Sequence, residues 1–102
     1  MRNIENTKFF QGNTIEILEI LLKIEDNQLV MSWKICLEYV IYRITFYNVS
    51  RFKLGVISMP LEIHGLEINN HFQNGWEKDS AYEIHDFEDD KIEFYCEFFI
   101  IE

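Results

Sequence analysis

The stretch TIEILEILLKIEDNQLVMSWKICL, residues 14–37, decides the fold. In its first half Ile15, Ile17, Leu18, Ile20, Leu21, Leu22 and Ile24 are separated by Glu16, Glu19 and Lys23, a pattern that suits either a helix or a strand. The wealth of isoleucine, the turn-like Glu25-Asp26-Asn27-Gln28 and the segment that follows favour two strands joined as a hairpin. In that segment Leu29, Met31, Trp33, Ile35 and Leu37 alternate at period two, as they do along a half-buried strand. A helix over Thr14 to Lys23 is the alternative, and it would make the protein α+β with one N-terminal helix.

Outward from this hairpin the chain keeps the same character. Gln11-Gly12-Asn13 is a turn signal before it. Beyond it, β-branched and aromatic residues run from Glu38 to Tyr47 without punctuation, which predicts a bend or bulge near Leu37-Glu38 or one unusually long strand. Asn48 marks a turn. Shorter runs follow at Phe52 to Ile57, at Leu61 to Ile68 interrupted by Gly65, and at Tyr82 to His85, with Asn69-Asn70 and Gln73-Asn74-Gly75 read as loop. In the last run Ile92, Phe94, Cys96, Phe98 and Ile100 share one parity and Glu93 and Glu97 the other, so a strand there buries the first set and exposes two carboxylates. About seven short strands with turns every 8 to 12 residues predict an all-β antiparallel sandwich or barrel. One proline and four unclustered glycines leave no linker, so residues 1–102 are expected to form a single domain.

Composition narrows the function classes. Hydrophobic residues make up 48% and aromatics 16%, far from the depleted composition of a disordered chain. Lys and Arg number 9 against 18 Asp and Glu, for a net charge of -9, which disfavours direct binding to the phosphate backbone of nucleic acid. The charge is unevenly spread. Residues 1–76 hold eight acids and seven bases, whereas residues 77–102 hold ten acids and only Lys78 and Lys91. Such asymmetry fits either a surface facing a basic partner or a solvated face. The longest apolar stretch, Ile35 to Tyr42, is broken by Glu38 and is too short to span a bilayer, so no membrane segment is expected. Residues 1–10 lack the apolar region of a signal peptide, which implies a cytoplasmic protein. Cys36 and Cys96 each lie in an apolar run and are read as buried, reduced thiols.

Few residues suggest chemistry. The run His85-Asp86-Phe87-Glu88-Asp89-Asp90 invites a metal reading, but the positions an EF-hand needs for glycine and glutamate fall on Lys91 and Glu97 when counted from Asp86. It reads instead as an acidic hairpin turn. His64, His71 and His85 lack the spacing of a zinc site, no serine sits in a nucleophile elbow, and no phosphate-binding glycine motif occurs, so neither metal nor cofactor is expected. Phe72, Trp76 and Tyr82 near Gly75 are either core residues or anchors of a binding surface.

The segments Phe46-Tyr47-Asn48-Val49-Ser50, Ile63-His64-Gly65-Leu66-Glu67-Ile68, Gly75-Trp76-Glu77-Lys78-Asp79 with Tyr82, and Asp86-Phe87-Glu88-Asp89 through Ile92-Glu93-Phe94-Tyr95-Cys96-Glu97 carry a resemblance. Over roughly the C-terminal 60 residues the chain resembles small Bacillus-type proteins of the YxiG kind, found among immunity genes near secreted polymorphic or wall-associated toxins. The resemblance implies a non-enzymatic cytosolic protein that binds and blocks a toxin domain in the producing cell. Together with the charge it predicts a basic protein partner, with Glu77, Asp79, Asp86, Glu88, Asp89 and Asp90 as charge donors and Trp76 as an anchor. The alternative is a small-molecule or carbohydrate-binding β module whose aromatics stack on the ligand, and a third reading is an oligomer-forming structural subunit.

Overall fold

The computed structural model describes residues 3–4, 9–55, 58–70 and 81–102. Ten strands occur among them: β1 (Asn3–Ile4), β2 (Ile15–Glu25), β3 (Gln28–Leu37), β4 (Val40–Tyr47), β5 (Ser50–Leu54), β6 (Leu61–Ile63), β7 (Leu66–Asn70), β8 (Tyr82–Asp86), β9 (Ile92–Cys96) and β10 (Phe98–Ile101). They pair antiparallel in two sheets, ordered β1-β10-β4-β3-β2-β6 and β5-β9-β8-β7. Among the described residues no pairing joins the ends of either sheet, so the fold is a sandwich and not a closed barrel. Among the described residues there is no helix, which removes the α+β alternative. Asn69 and Asn70, expected in a loop, belong to β7.

The ambiguity of residues 14–24 has a physical cause. The β2–β3 register shifts between Ile17 and Glu19, so Leu18 is the extra residue of a bulge. One inserted residue reverses which side chains face the core. Ile15 and Ile17 therefore point inward before the bulge, and Ile20 follows after it opposite the buried Trp33. The resulting spacing imitates a helical period. Asp26 and Asn27, with φ of 52° and 62°, close the hairpin in the left-handed conformation that a two-residue turn needs.

The second hairpin was not legible. Where a bend or a single long strand was expected, Glu38 and Tyr39 form another two-residue turn, with φ of 51° and 68°, and Leu37 pairs with Val40. Neither residue favours that region, which costs an L-residue roughly 1–2 kcal/mol. The paired strands on either side impose it.

The chain changes sheets four times, once between β5 and β6 and otherwise at three corners. At Asn48 (φ 57°) it passes from β4 to β5, at His64-Gly65 from β6 to β7, and at Glu97 from β9 to β10. The first and last corners are tied together, since Glu97 N–H donates to the Tyr47 carbonyl at 2.9 Å and Asn48 Nδ2 to Glu97 Oε1 at 3.4 Å. The Glu97 corner also corrects the expected parity of the last run. Ile92, Phe94 and Cys96 are buried as expected, but beyond Glu97 the phase shifts, and Phe99 and Ile101 are buried while Phe98 and Ile100 are half-exposed.

One hydrophobic cluster joins the two sheets. At its centre Trp33 and Phe46 from the larger sheet meet Phe94 from the smaller in edge-to-face contacts, with centroids 4.8 to 5.6 Å apart. Tyr82 joins them through Phe99, at 5.3 Å, and is a core residue. Cys96 is buried in this core, whereas Cys36 is half-buried on the outer side of β3. Both are free thiols.

Candidate functional site

The outer face of the four-stranded sheet gathers the acidic side chains. Strand parity does the sorting, because Leu66 and Ile68 of β7, Tyr82, Ile84 and Asp86 of β8, and Ile92, Phe94 and Cys96 of β9 are turned inward. Their neighbours Glu67, Asn69, Glu83, His85, Glu93 and Tyr95 are left facing out. The register aligns them in rows across the strands: Glu67, His85, Glu93 and Lys53 in one, Asn69, Glu83, Tyr95 and Ser50 in the next. Among the described residues positive charge borders this face on β5, where Lys53 ends the first row and Arg51 sits 5.3 Å over the Tyr95 ring, and at Lys91, whose Nζ lies 3.8 Å from Asp89 Oδ2 and donates to the Glu62 carbonyl at 2.8 Å. Burial and the charges of Glu83 and Glu93 push the Tyr95 phenol above its usual range, against the pull of Arg51.

The turn between β8 and β9 extends this face. Asp86 was expected among the charge donors, yet it is fully buried. Its Oδ1 accepts the backbone N–H groups of Glu88 (3.2 Å) and Asp89 (3.3 Å), its Oδ2 accepts that of Lys91 (3.1 Å), and its own carbonyl accepts Asp90 N–H at 3.0 Å. A carboxylate is the side chain that can take three N–H donors at once. Asp86 therefore builds the turn and does not touch a partner. Glu88, Asp89 and Asp90 are all exposed. The alternating Asp86, Glu88 and Asp90 form no oxygen cage, because both Asp86 oxygens are directed at amides. Among the described residues no three His, Cys, Asp or Glu are grouped to hold a metal ion.

Two further contacts fix the turn. His85 Nε2 lies 2.7 Å from Asp90 Oδ1 and 3.9 Å from Glu93 Oε1, with its ring against Phe87 at 4.1 Å. Gly65 lies under Glu88 so closely that an added Cβ would stand 2.7 Å from Glu88 Cγ. The Gly65 carbonyl accepts Phe87 N–H at 2.9 Å. Glycine at the β6–β7 corner thus lets the acidic turn fold down onto it.

Trp76, Glu77 and Asp79, with Phe72, lie outside the described residues. Glu88, Asp89 and Asp90 follow one another in the exposed turn, and His85 stands between Asp90 and Glu93. Glu67 was missed as a site residue because it belongs to the nearly neutral part of the sequence, and only cross-strand register places it beside the acidic quarter. A second feature is a cavity of about 490 Å³ between the Phe10–Gly12 turn and the His64–Asn69 segment. At its border His64 is held between Thr14 Oγ1 (3.1 Å) and Glu62 Oε1 (3.0 Å). No family model matches the chain, and neither a curated protein nor a solved structure matches it.

Proposed function

We propose that this protein is a non-enzymatic, acidic binding module that engages a basic protein domain through the outer face of its four-stranded sheet and the Glu88–Asp90 turn. What supports the reading is the outward row of Glu67 and Glu93 together with the exposed Glu88, Asp89 and Asp90, whose backbone N–H groups are held by the buried Asp86, the first two by its carboxylate and the third by its carbonyl. A field of one sign speeds encounter with an oppositely charged partner and fixes its orientation. This is the behaviour of an immunity protein that blocks a toxin in the cytoplasm of the producing cell, the role that the resemblance implies. Toxins that cut nucleic acid carry basic clefts, and a rigid acidic turn can occupy the place of phosphates there. The test is binding of the captured partner as a function of salt. Association should slow steeply as salt rises and collapse in a protein carrying Asp89→Lys and Asp90→Lys, while salt-insensitive binding unchanged by the charge reversal sinks the proposal.

The cavity beside Phe10 favours a second reading, a small-molecule or carbohydrate site. Phe10, the one Phe, Tyr or Trp that lines it among the described residues, is 1% exposed and presents little ring to stack on. Thermal-shift screening with sugars decides it, since a ligand of the folded state raises Tm with its concentration.

A further inference from the structure

β2 is covered along only part of its outer edge. β6 pairs with it at Ile15, Glu16 and Ile17, and from Glu19 to Glu25 its one partner among the described residues is β3. The bulge at Leu18 bends the strand between the two parts. Residues 9–37 are all described, and in the second part Leu21, Leu22, Lys23, Ile24 and Glu25 are each exposed, Leu22 to 51% and Ile24 to 71%. The hydrogen-bond phase follows from the hairpin turn. Its two-residue loop makes Glu25 and Gln28 a hydrogen-bonded pair, and such pairs alternate, so Lys23, Leu21 and Glu19 direct their backbone groups at β3. Ile20, Leu22 and Ile24 direct theirs outward. The Leu29 carbonyl agrees with this phase, since Leu29 stands opposite Ile24 and accepts the Val49 N–H from its other side at 2.8 Å. Exposed apolar residues with outward N–H and C=O groups make an edge that another strand can extend.

We infer that the protein forms a twofold dimer in which the β2 edges of two copies pair antiparallel about Leu21, joining their six-stranded sheets into one. A lysine on an edge strand usually keeps other strands off. Here the charges match a second copy of the same edge. Twofold centres that give a ladder of at least five residues within Glu19 to Glu25 are Leu21, Leu22 and Lys23. About Leu22, Glu19 would meet Glu25 of the other copy, and about Lys23 the two lysines would meet. About Leu21, Glu19 of each copy lies opposite Lys23 of the other, and Leu21 meets Leu21. These fall at non-hydrogen-bonded positions, where side chains stand closest. On the inner side Ile20 of each copy meets Leu22 of the other, and the two exchange their outward backbone groups. Within one copy Glu19 contacts Arg43 at 3.2 Å and Lys23 contacts Glu25 at 2.9 Å, and both side chains stay open to a second partner. An interface that uses the same surface twice closes on itself, so association stops at two copies.

The interface is small, so the measurement is sedimentation equilibrium of the full chain from about 10 µM to about 1 mM. The mass should rise with concentration from 12.4 kDa toward twice that value. Glu19→Lys sets lysine against lysine and Lys23→Glu sets glutamate against glutamate, so each variant alone should dimerise about tenfold more weakly. An equal mixture of the two variants restores both ion pairs in a mixed dimer and should recover the wild-type affinity. Leu22→Pro removes an outward N–H while leaving the β3 ladder whole, and it should abolish association. Melting curves check that each variant folds. A monomer that persists at about 1 mM overturns the proposal. So does a dimer that Leu22→Pro leaves intact, or one that the charge variants weaken without recovery on mixing. The acidic face belongs to the other sheet, so failure here leaves the reading of a basic partner standing.

Discussion

Replacing Asp86 by alanine removes the acceptor of three backbone N–H groups at once, those of Glu88, Asp89 and Lys91, at 3.1 to 3.3 Å. A hydrogen bond to a charged group contributes about 1.5–3 kcal/mol, and a buried donor left without a partner costs about 1–3 kcal/mol. The three distances are on the long side, and the turn residues are exposed enough for water to take over some of the donors. The low end is therefore appropriate, about 1 kcal/mol for each bond and about 3 kcal/mol in all. For a domain of this size that corresponds to a fall in Tm of about 12–24 °C. Asp86→Asn keeps one acceptor oxygen and sets an N–H₂ against the other donors, so its loss should fall between those of wild type and alanine. Urea unfolding followed by the fluorescence of the buried Trp33 reads the difference, with the slope m unchanged. A loss below about 1 kcal/mol in Asp86→Ala would refute the assignment of this residue as the organiser of the turn.

Other outcomes follow from the same geometry. Glu38→Asn with Tyr39→Gly should stabilise the protein by about 1–2 kcal/mol, because it relieves two left-handed residues and Tyr39 is fully exposed; unchanged stability in urea would contradict the turn. Burial holds the Cys96 thiol far above its usual range, so a thiol reagent should label Cys36 in the native protein and reach Cys96 only after unfolding, as peptide mass mapping would report. In the unfolded chain the Cys96 thiol and the Tyr95 phenol lose their protons near 9.0 and 10.0, and folding keeps both protonated to higher pH. The unfolded state gains from each deprotonation, so stability should be at its full value below pH 9 and decline above it. Urea midpoints between about pH 8 and about pH 11 check this, and Cys96→Ala and Tyr95→Phe should each flatten the decline.

How much of this was legible in the sequence depends on the residue. The all-β class was, because Leu29 to Leu37 alternate cleanly and Asp26-Asn27 is turn chemistry that matches its left-handed angles. The Leu18 bulge hid the strand character of the segment before it, since a phase shift by one residue fills the gaps of a period-two pattern. Glu38-Tyr39 could not be foreseen. Neither residue prefers positive φ, and only the pairing of β3 with β4 makes them turn. The phase change at Glu97 was announced by Phe99 and Ile101 on the supposedly exposed parity, and its cause, a change of sheet, is a tertiary event. For the candidate site, the exposed acids of the turn were legible as a local charge run. The burial of Asp86 was not, because an aspartate that folds a turn and one that faces a partner have the same neighbours in sequence. Glu67 needed the register between β7 and β8 to bring it into the acidic face.

The account turns on whether the acidic face is where a basic partner binds. The most direct measurement compares affinity capture from the producing cell by wild type and by a protein carrying Glu67→Lys, Asp89→Lys and Asp90→Lys, at low and at high salt. The account predicts one basic protein retained by wild type at low salt, released as salt rises, and absent from the charge-reversed eluate. Retention of the same partner by both proteins, or capture of a partner with no excess of lysine and arginine, would contradict it.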